Sequence, residues 1–104
     1  MTFKVRFLPR AEADLIDLYD YIADEAGASV AGGYIDRIEA ACLALATFPK
    51  RGAQRDDIRP GLRIVGFERP VTIVFHFTEG EVLIVRFLYG GRDFERILTL
   101  MPDG

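Results

Sequence analysis

The chain has 104 residues and a formal net charge of −3, a length that suits one domain with a single hydrophobic core. Its one cysteine, Cys42, excludes an internal disulfide, and one cysteine with one histidine excludes a zinc site of the usual cysteine–histidine kind within the chain. No apolar run approaches the roughly 20 residues that span a bilayer, and the N-terminus lacks the apolar stretch of a signal peptide. These features predict a soluble cytoplasmic protein with no cofactor.

The first half of the chain predicts one strand and two helices. Residues 3–8 alternate apolar and charged side chains, which is typical of a half-buried strand. Residues 11–26 carry an apolar stripe at helical spacing, and Gly27 is expected to end that helix. A second helix is predicted over residues 29–47, with Ser29 as its N-cap. Two helices with so short a connection form an antiparallel hairpin.

The second half predicts a sheet and a short final helix. Residues 48–61 form a loop rich in charge, proline and glycine, and residues 62–67 form a strand. Residues 71–78 and 82–89 are rich in β-branched and aromatic side chains around a tight turn, which predicts a β-hairpin. The hairpin is apolar on both faces, so we expect it in the middle of a covered sheet. A short helix is predicted at residues 94–98.

The predicted order of elements is therefore β-α-α-β-β-β-α in one domain, residues 1–104. Successive strands joined by short turns make a mostly antiparallel sheet. The fold class is α+β, with an N-terminal strand, an αα-hairpin packed on the sheet and a short C-terminal helix.

Charge is distributed unevenly along the chain. Residues 1–48 hold four cations and eight anions, and residues 50–69 hold six cations and three anions. This pattern indicates either two partner surfaces of opposite sign or only a solvated helix face and a solvated loop. The acids expected on the solvated side of the first helix are Asp14, Asp17, Asp20 and Asp24.

Four stretches in register carry a family resemblance. They are residues 7–15 with 19–22 (FLPRAEADL and YDYI), 45–52 (LATFPKRG), 61–63 (GLR) and 85–93 (VRFLYGGRD). In this order the set resembles the ParE/RelE toxin superfamily of bacterial toxin–antitoxin systems, and the chain looks like a ParE-like member. The last stretch is similar to the family's final strand and its HGRRD-type ending.

The resemblance implies one of two activities. RelE-type members cut mRNA on the ribosome, and ParE-type members poison DNA gyrase. A nuclease site would use Arg92, Tyr89 and Lys50, but Thr72 stands where the resemblance implies an arginine, and Phe94 offers no hydroxyl. Because the acid and base groups of RNA cleavage are missing and the chain is acidic overall, the resemblance favours a gyrase inhibitor over an enzyme.

The resemblance also implies a protein partner. It predicts a cognate antitoxin with a DNA-binding N-terminal domain and a C-terminal segment that wraps the toxin in a hetero-oligomer. A non-toxic member that only binds its antitoxin is a third possibility. The residues predicted to bind a partner are the arginines of the loop and last strands and two leucines of the first helix: Arg51, Arg55, Arg59, Arg63, Arg86, Arg92, Leu15 and Leu18.

Two further side chains have open roles. His76 is either a histidine on a half-covered sheet face or a general base. Arg86 lies on an otherwise apolar strand, so it is either a buried arginine with a counter-ion or an anchor for a partner. The counter-ions expected for Arg86 are Glu68, Glu79 or Glu81.

Overall fold

The computed structural model describes residues 3–48, 50–68 and 71–89. Among these residues, no helix is long and apolar enough to cross a membrane. The elements in chain order are β1 (Lys4–Phe7), α1 (Pro9–Ala26), α2 (Ala28–Ala44), β2 (Ala53–Gln54), β3 (Arg63–Phe67), β4 (Val71–Thr78) and β5 (Glu81–Leu88).

The five strands form one sheet in the order β1-β5-β4-β3-β2. Strand β1 pairs parallel with β5, and the other three pairs are antiparallel. The predicted α+β class with a mostly antiparallel sheet is confirmed, and so is the central position of the β4–β5 hairpin. The hairpin register shifts between Val74 and Phe75, which marks a β-bulge.

Both faces of the central hairpin are buried, as its apolar sequence predicts. The face toward the helices holds the larger core, which includes Ile38, Phe75 and Phe87. The opposite face holds a smaller cluster, in which Val74 and Val85 pack with Leu62 from the entry to β3. Cys42 lies in the larger core, where burial raises the pKa of its thiol to about 12. It therefore behaves as a small apolar side chain.

Local sequence explains the helix ends. Pro9 occupies the first turn of α1, where a missing N–H costs no hydrogen bond. Gly27 ends α1 with a φ of 97°, and its N–H donates to the carbonyl of Ala23 at 2.8 Å. The predicted N-cap at Ser29 is wrong, because α2 begins at Ala28 directly after Gly27 and has no side-chain cap. One glycine thus serves both helices.

Other predicted boundaries also change. Helix α2 ends at Ala44 instead of residue 47, and a turn over residues 45–47 follows it. The predicted loop contains the two-residue strand β2, which pairs with the start of β3. The predicted helix at residues 94–98 lies outside the described residues.

Hydrogen bonds and a ring contact join the exposed side of α2 to the end of β3. The Nε and Nη2 atoms of Arg37 donate to the two carboxylate oxygens of Glu68 at 2.8 and 3.0 Å. The Tyr34 hydroxyl donates to the Glu68 backbone carbonyl at 3.2 Å, and its ring meets Phe67 edge to face. Glu68 has a φ of 26°, unusual for a residue with a side chain. These contacts hold it there.

A buried ion pair joins α1 to β5. The Nε and Nη2 atoms of Arg86 donate to the carboxylate of Asp14 at 2.6 and 3.0 Å, and the Phe87 backbone N–H donates to the same carboxylate at 3.0 Å. Asp14 is 8% exposed and Arg86 is 5% exposed. Two predictions are therefore wrong: Asp14 does not face solvent, and the counter-ion of Arg86 is not Glu68, Glu79 or Glu81.

Replacing Asp14 by Ala should lower the free energy of unfolding by about 3–5 kcal/mol, because it leaves the Arg86 charge buried without a counter-ion. Chemical denaturation monitored by circular dichroism measures the change. The double variant Asp14→Leu/Arg86→Met removes both charges and should recover most of the loss. It should retain a deficit of about 1–3 kcal/mol, because the Phe87 N–H stays buried without an acceptor. A double variant no more stable than Asp14→Ala would contradict this account.

Candidate partner-binding surface

A groove of about 650 Å³ runs between the helix hairpin and β1. Its floor is apolar, and Ile16, which is 63% exposed, stands open on its wall. Carboxylates of Glu12 and Glu39 lie along it, together with Arg6. We call this surface the edge groove; its lining residues are Val5, Arg6, Phe7, Glu12, Leu15, Ile16, Tyr19, Ile35 and Glu39.

Strand β1, which forms one side of the edge groove, is an edge of the sheet that the described strands form. The N–H groups of Lys4 and Leu8 donate toward the β5 side, to Gly80 and Ile84. Backbone groups alternate in direction along a strand, so those of Val5 and Phe7 point away from the sheet. The N–H of Phe3, one step earlier, donates to the carbonyl of Ala46 at 2.9 Å. The outward groups of Val5 and Phe7 are therefore placed to pair with an incoming strand.

A second hollow of about 540 Å³ lies at the Phe3 end of β1. The rings of Phe3 and Phe77 meet edge to face there, with centroids 6.0 Å apart. Phe48 is 57% exposed, and the guanidinium of Arg51 lies 5.2 Å from its ring centroid. We call this surface the phenylalanine pocket; it is lined by Phe3, Thr47, Phe48, Lys50, Arg51 and Phe77.

The backbone that carries the two cations of the pocket is fixed from behind. The Arg63 guanidinium donates to the carbonyls of Lys50 at 2.6 Å, Arg51 at 3.0 Å and Gly52 at 3.5 Å. Gly52 has a φ of 77°, and a Cβ atom there would collide with the carbonyl of Ile64 in β3. Arg63 and Gly52 together hold Lys50 and Arg51 at the rim of the pocket.

The predicted arginine cluster therefore divides by role. Arg51 stands at a surface hollow, whereas Arg63 binds backbone carbonyls and Arg55 pairs with Asp57 through two hydrogen bonds of 3.0 and 2.9 Å. Hydrogen bonding to Arg55 lowers the pKa of Asp57. Arg59 also has an interaction within the chain. Arg86 is buried against Asp14, and Arg92 lies outside the described residues.

The apolar part of the prediction divides in the same way. Leu15 lines the edge groove, but Leu18 is 3% exposed and belongs to the core. The sequence reasoning missed Ile16, Tyr19 and Phe48, which are the open apolar side chains of the two hollows. Ile16 lies off the apolar stripe of α1, and an apolar residue on the solvated side of an amphipathic helix is a signal that the sequence does offer.

The structure describes Lys50 and Tyr89 of the alternative nuclease site, and it does not bring these two side chains together. Lys50 lies with Phe77, which pairs with Val82 near the start of β5. Tyr89 follows the other end of β5, where its ring lies 6.0 Å from that of Tyr21. Seven residues of strand at about 3.3 Å each separate Val82 from Tyr89 by roughly 23 Å. A single reacting phosphate cannot contact both Lys50 and Tyr89.

His76 is half-buried on β4, as predicted, and it pairs across the hairpin with Leu83. Burial lowers the pKa of its imidazole from the ordinary value of 6.5, since the charged form loses hydration there. Neither hollow is lined by His76. Its position gives no support to the general-base interpretation.

Comparison with known proteins gives one family. The family model for the ParE toxin of the type II toxin–antitoxin system parDE matches residues 5–94. Toxin ParE3 of Caulobacter vibrioides is 32% identical over 77 residues, which cover 74% of this chain and 76% of that protein. Toxin ParE1 of Mycobacterium tuberculosis is 30% identical over 99 residues, which cover 94% of this chain and all of that protein. A solved chain from the chromosomal ParDE system of P. aeruginosa has a TM-score of 0.72 at 26% identity, covering 83% of this chain and 94% of its own.

Replacing Gly52 by Ala should destabilise the chain more than replacing Gly61 by Ala. Both glycines have positive φ, which costs a residue with a side chain about 1–2 kcal/mol. A Cβ at Gly61 meets open space, whereas a Cβ at Gly52 meets Ile64 and should add about 1–3 kcal/mol. Urea unfolding of the two variants measures the difference. Equal losses would show that residues 50–52 are not held against β3.

Replacing His76 by Gln should remove a pH dependence of stability. The unfolded chain takes up the proton near pH 6.5, before the folded chain does, because burial lowers the folded-state pKa. The free energy of unfolding of the wild type should therefore fall as the pH drops through 6.5 and stay constant above that range. The difference between wild type and variant across this range isolates His76 from the carboxylates, which titrate at lower pH. A constant difference from neutral pH down to about pH 5 would contradict this assignment.

Proposed function

Because this chain belongs to the ParE toxin family of type II toxin–antitoxin systems, we propose that it inhibits DNA gyrase and that a cognate antitoxin neutralises it. The observation that carries the proposal is the form of the surface. Two apolar hollows lie beside β1, and the outer edge of β1 is available for strand pairing. This surface is suited to holding a polypeptide segment. The two nuclease candidates that the structure describes lie at opposite ends of β5.

The antitoxin fits the edge groove in two ways. An extended stretch can pair with the outward backbone groups of Val5 and Phe7, while apolar side chains of the same segment cover Ile16 and Tyr19. Covering these side chains removes exposed apolar surface from water, which favours association. The antitoxin would be a hetero-oligomeric partner with a DNA-binding N-terminal domain and a C-terminal segment that wraps this chain. The related P. aeruginosa structure is described as a ParDE toxin–antitoxin system, which supports such a partner.

Two observations support gyrase as the target: the family to which the chain belongs, and the distribution of the polar groups that RNA cleavage would need. RNA cleavage requires a base, an acid and cations around one phosphate. In the described residues, Lys50 and Tyr89 are far apart, and Thr72 supplies no charge on β4. Inhibition by binding makes no such demand on geometry. The chain would therefore act as a binding module for gyrase and its cleaved DNA.

The test is a pair of assays on the purified chain. We expect inhibition of supercoiling and accumulation of cleaved DNA with purified gyrase, and intact mRNA in a translation reaction followed by primer extension. Addition of the antitoxin should restore supercoiling. Cleaved mRNA with unaffected gyrase would replace the proposal by the ribosome-dependent nuclease. Tight antitoxin binding with neither activity would indicate the non-toxic member of the family.

A further inference from the structure

The two hollows beside β1 have rims of opposite charge. Lys50 and Arg51 stand at the phenylalanine pocket, and no carboxylate of the described residues lines it. Glu12 and Glu39 stand at the edge groove, and neither makes an ion pair with another residue in the part of the chain that the structure describes. Arg6, the cation of that groove, lies 3.7 Å from the carboxylate of Glu81. A ligand that spans both hollows meets positive charge at one end and negative charge at the other.

Strand β1 connects the two hollows. Phe3 lines the phenylalanine pocket, and Val5 and Phe7 line the edge groove. These three side chains alternate along the strand, so they point to the same face, toward the helices. From Phe3 to Phe7 the strand extends roughly 13 Å at about 3.3 Å per residue. A polypeptide segment of moderate length can therefore occupy both hollows at once.

The rim of the phenylalanine pocket is already organised before a ligand arrives. Three hydrogen bonds from Arg63 fix the backbone of residues 50–52, and the Arg51 guanidinium rests on the Phe48 ring. By contrast, Arg55 is paired with Asp57 and Arg86 with Asp14. Lys50 and Arg51 stand at the rim of the pocket and are thus positioned for an external anion. Preorganisation of this kind lowers the entropy lost on binding.

We propose that the phenylalanine pocket receives an acidic stretch of the antitoxin that carries an apolar anchor residue, and that the opposite charges of the two hollows fix the direction in which the antitoxin segment lies along β1. The inference rests on the antitoxin partner proposed above. The anchor packs among Phe3, Phe48 and Phe77, and neighbouring carboxylates meet Lys50 and Arg51. Basic residues toward the other end of the segment meet Glu12 and Glu39.

A polypeptide suits this surface better than a nucleic acid. A phosphate backbone carries negative charge along its whole length, so a strand that reached Lys50 and Arg51 and continued along β1 would meet Glu12 and Glu39. The apolar floors of both hollows favour aliphatic and aromatic side chains. Reversal of a bipolar peptide would place like charges together at both ends, which is a strong source of specificity.

The first experiment measures binding of the purified product of the antitoxin gene beside this one. Lys50→Glu and Arg51→Glu should each weaken binding at least tenfold, and Arg10→Glu, an equal charge change at an exposed position that lines neither hollow, should change it less than twofold. Phe48→Ala should also cost at least tenfold. Its matched control is Leu43→Ala, since Leu43 is 59% exposed and lies outside both hollows. Thermal unfolding of each variant verifies that it folds.

The second experiment tests direction. A photo-crosslinking p-benzoylphenylalanine in place of Phe48 should attach to an acidic stretch of the antitoxin, and the same group in place of Tyr19 should attach to a more basic one. Mass spectrometry of the cross-linked peptides identifies both. Attachment in the reverse arrangement would overturn the inference.

The outcomes separate the two proposals. If the wild-type chain does not bind the antitoxin, the proposed function fails. If the wild type binds but both charge reversals stay within twofold, only the inference about the phenylalanine pocket fails. In that case Ile16→Lys, which changes the edge groove alone, should still weaken binding.

Discussion

The carboxylate of Asp14 is the contact on which the rest of the arrangement depends. It accepts three hydrogen bonds from β5, two from Arg86 and one from the Phe87 backbone, across more than 70 positions of sequence. Because a buried charge is tolerated only when its partners are in place, this contact fixes where α1 lies on the sheet. The position of α1 in turn sets the wall of the edge groove, which carries Glu12, Ile16 and Tyr19. A polar contact in the core thus determines an apolar surface outside it.

The sequence predicted the fold well where one physical signal dominated. The β-branched and aromatic runs of β4 and β5, the helical stripe of α1 and the break at Gly27 each specify local geometry, and the structure confirms them. The errors arise where tertiary contacts decide. Periodicity assigned Asp14 to solvent because it counts a carboxylate as polar, and it cannot detect an arginine on a distant strand. Ser29 has the chemistry of an N-cap, but Gly27 already supplies the turn that starts α2.

The candidate site was harder to predict than the fold. An arginine that forms hydrogen bonds within the chain and an arginine that is exposed at a surface hollow look alike in sequence. Arg51, Arg55 and Arg63 occur within 13 residues, yet one rests on a phenyl ring, one pairs with Asp57 and one binds three carbonyls. Only the backbone path distinguishes them. Leu15 and Leu18 show the same ambiguity for apolar side chains, since the same stripe contains both a groove residue and a core residue.

The separation of Lys50 and Tyr89 bears on the choice between the two activities that the family resemblance implies. A fold does not determine function, which belongs to the groups that it brings together. Here the ends of β5 carry different chemistry: a basic, phenyl-lined hollow at one end and a tyrosine pair at the other. Catalysis needs several groups within hydrogen-bonding distance of one atom, whereas binding gains from groups spread over a long surface. The described residues have the second distribution. A chain that inhibits by binding, as proposed for this one, would act through the length of the surface that it covers, and an antitoxin that occupied the same length along β1 would block it.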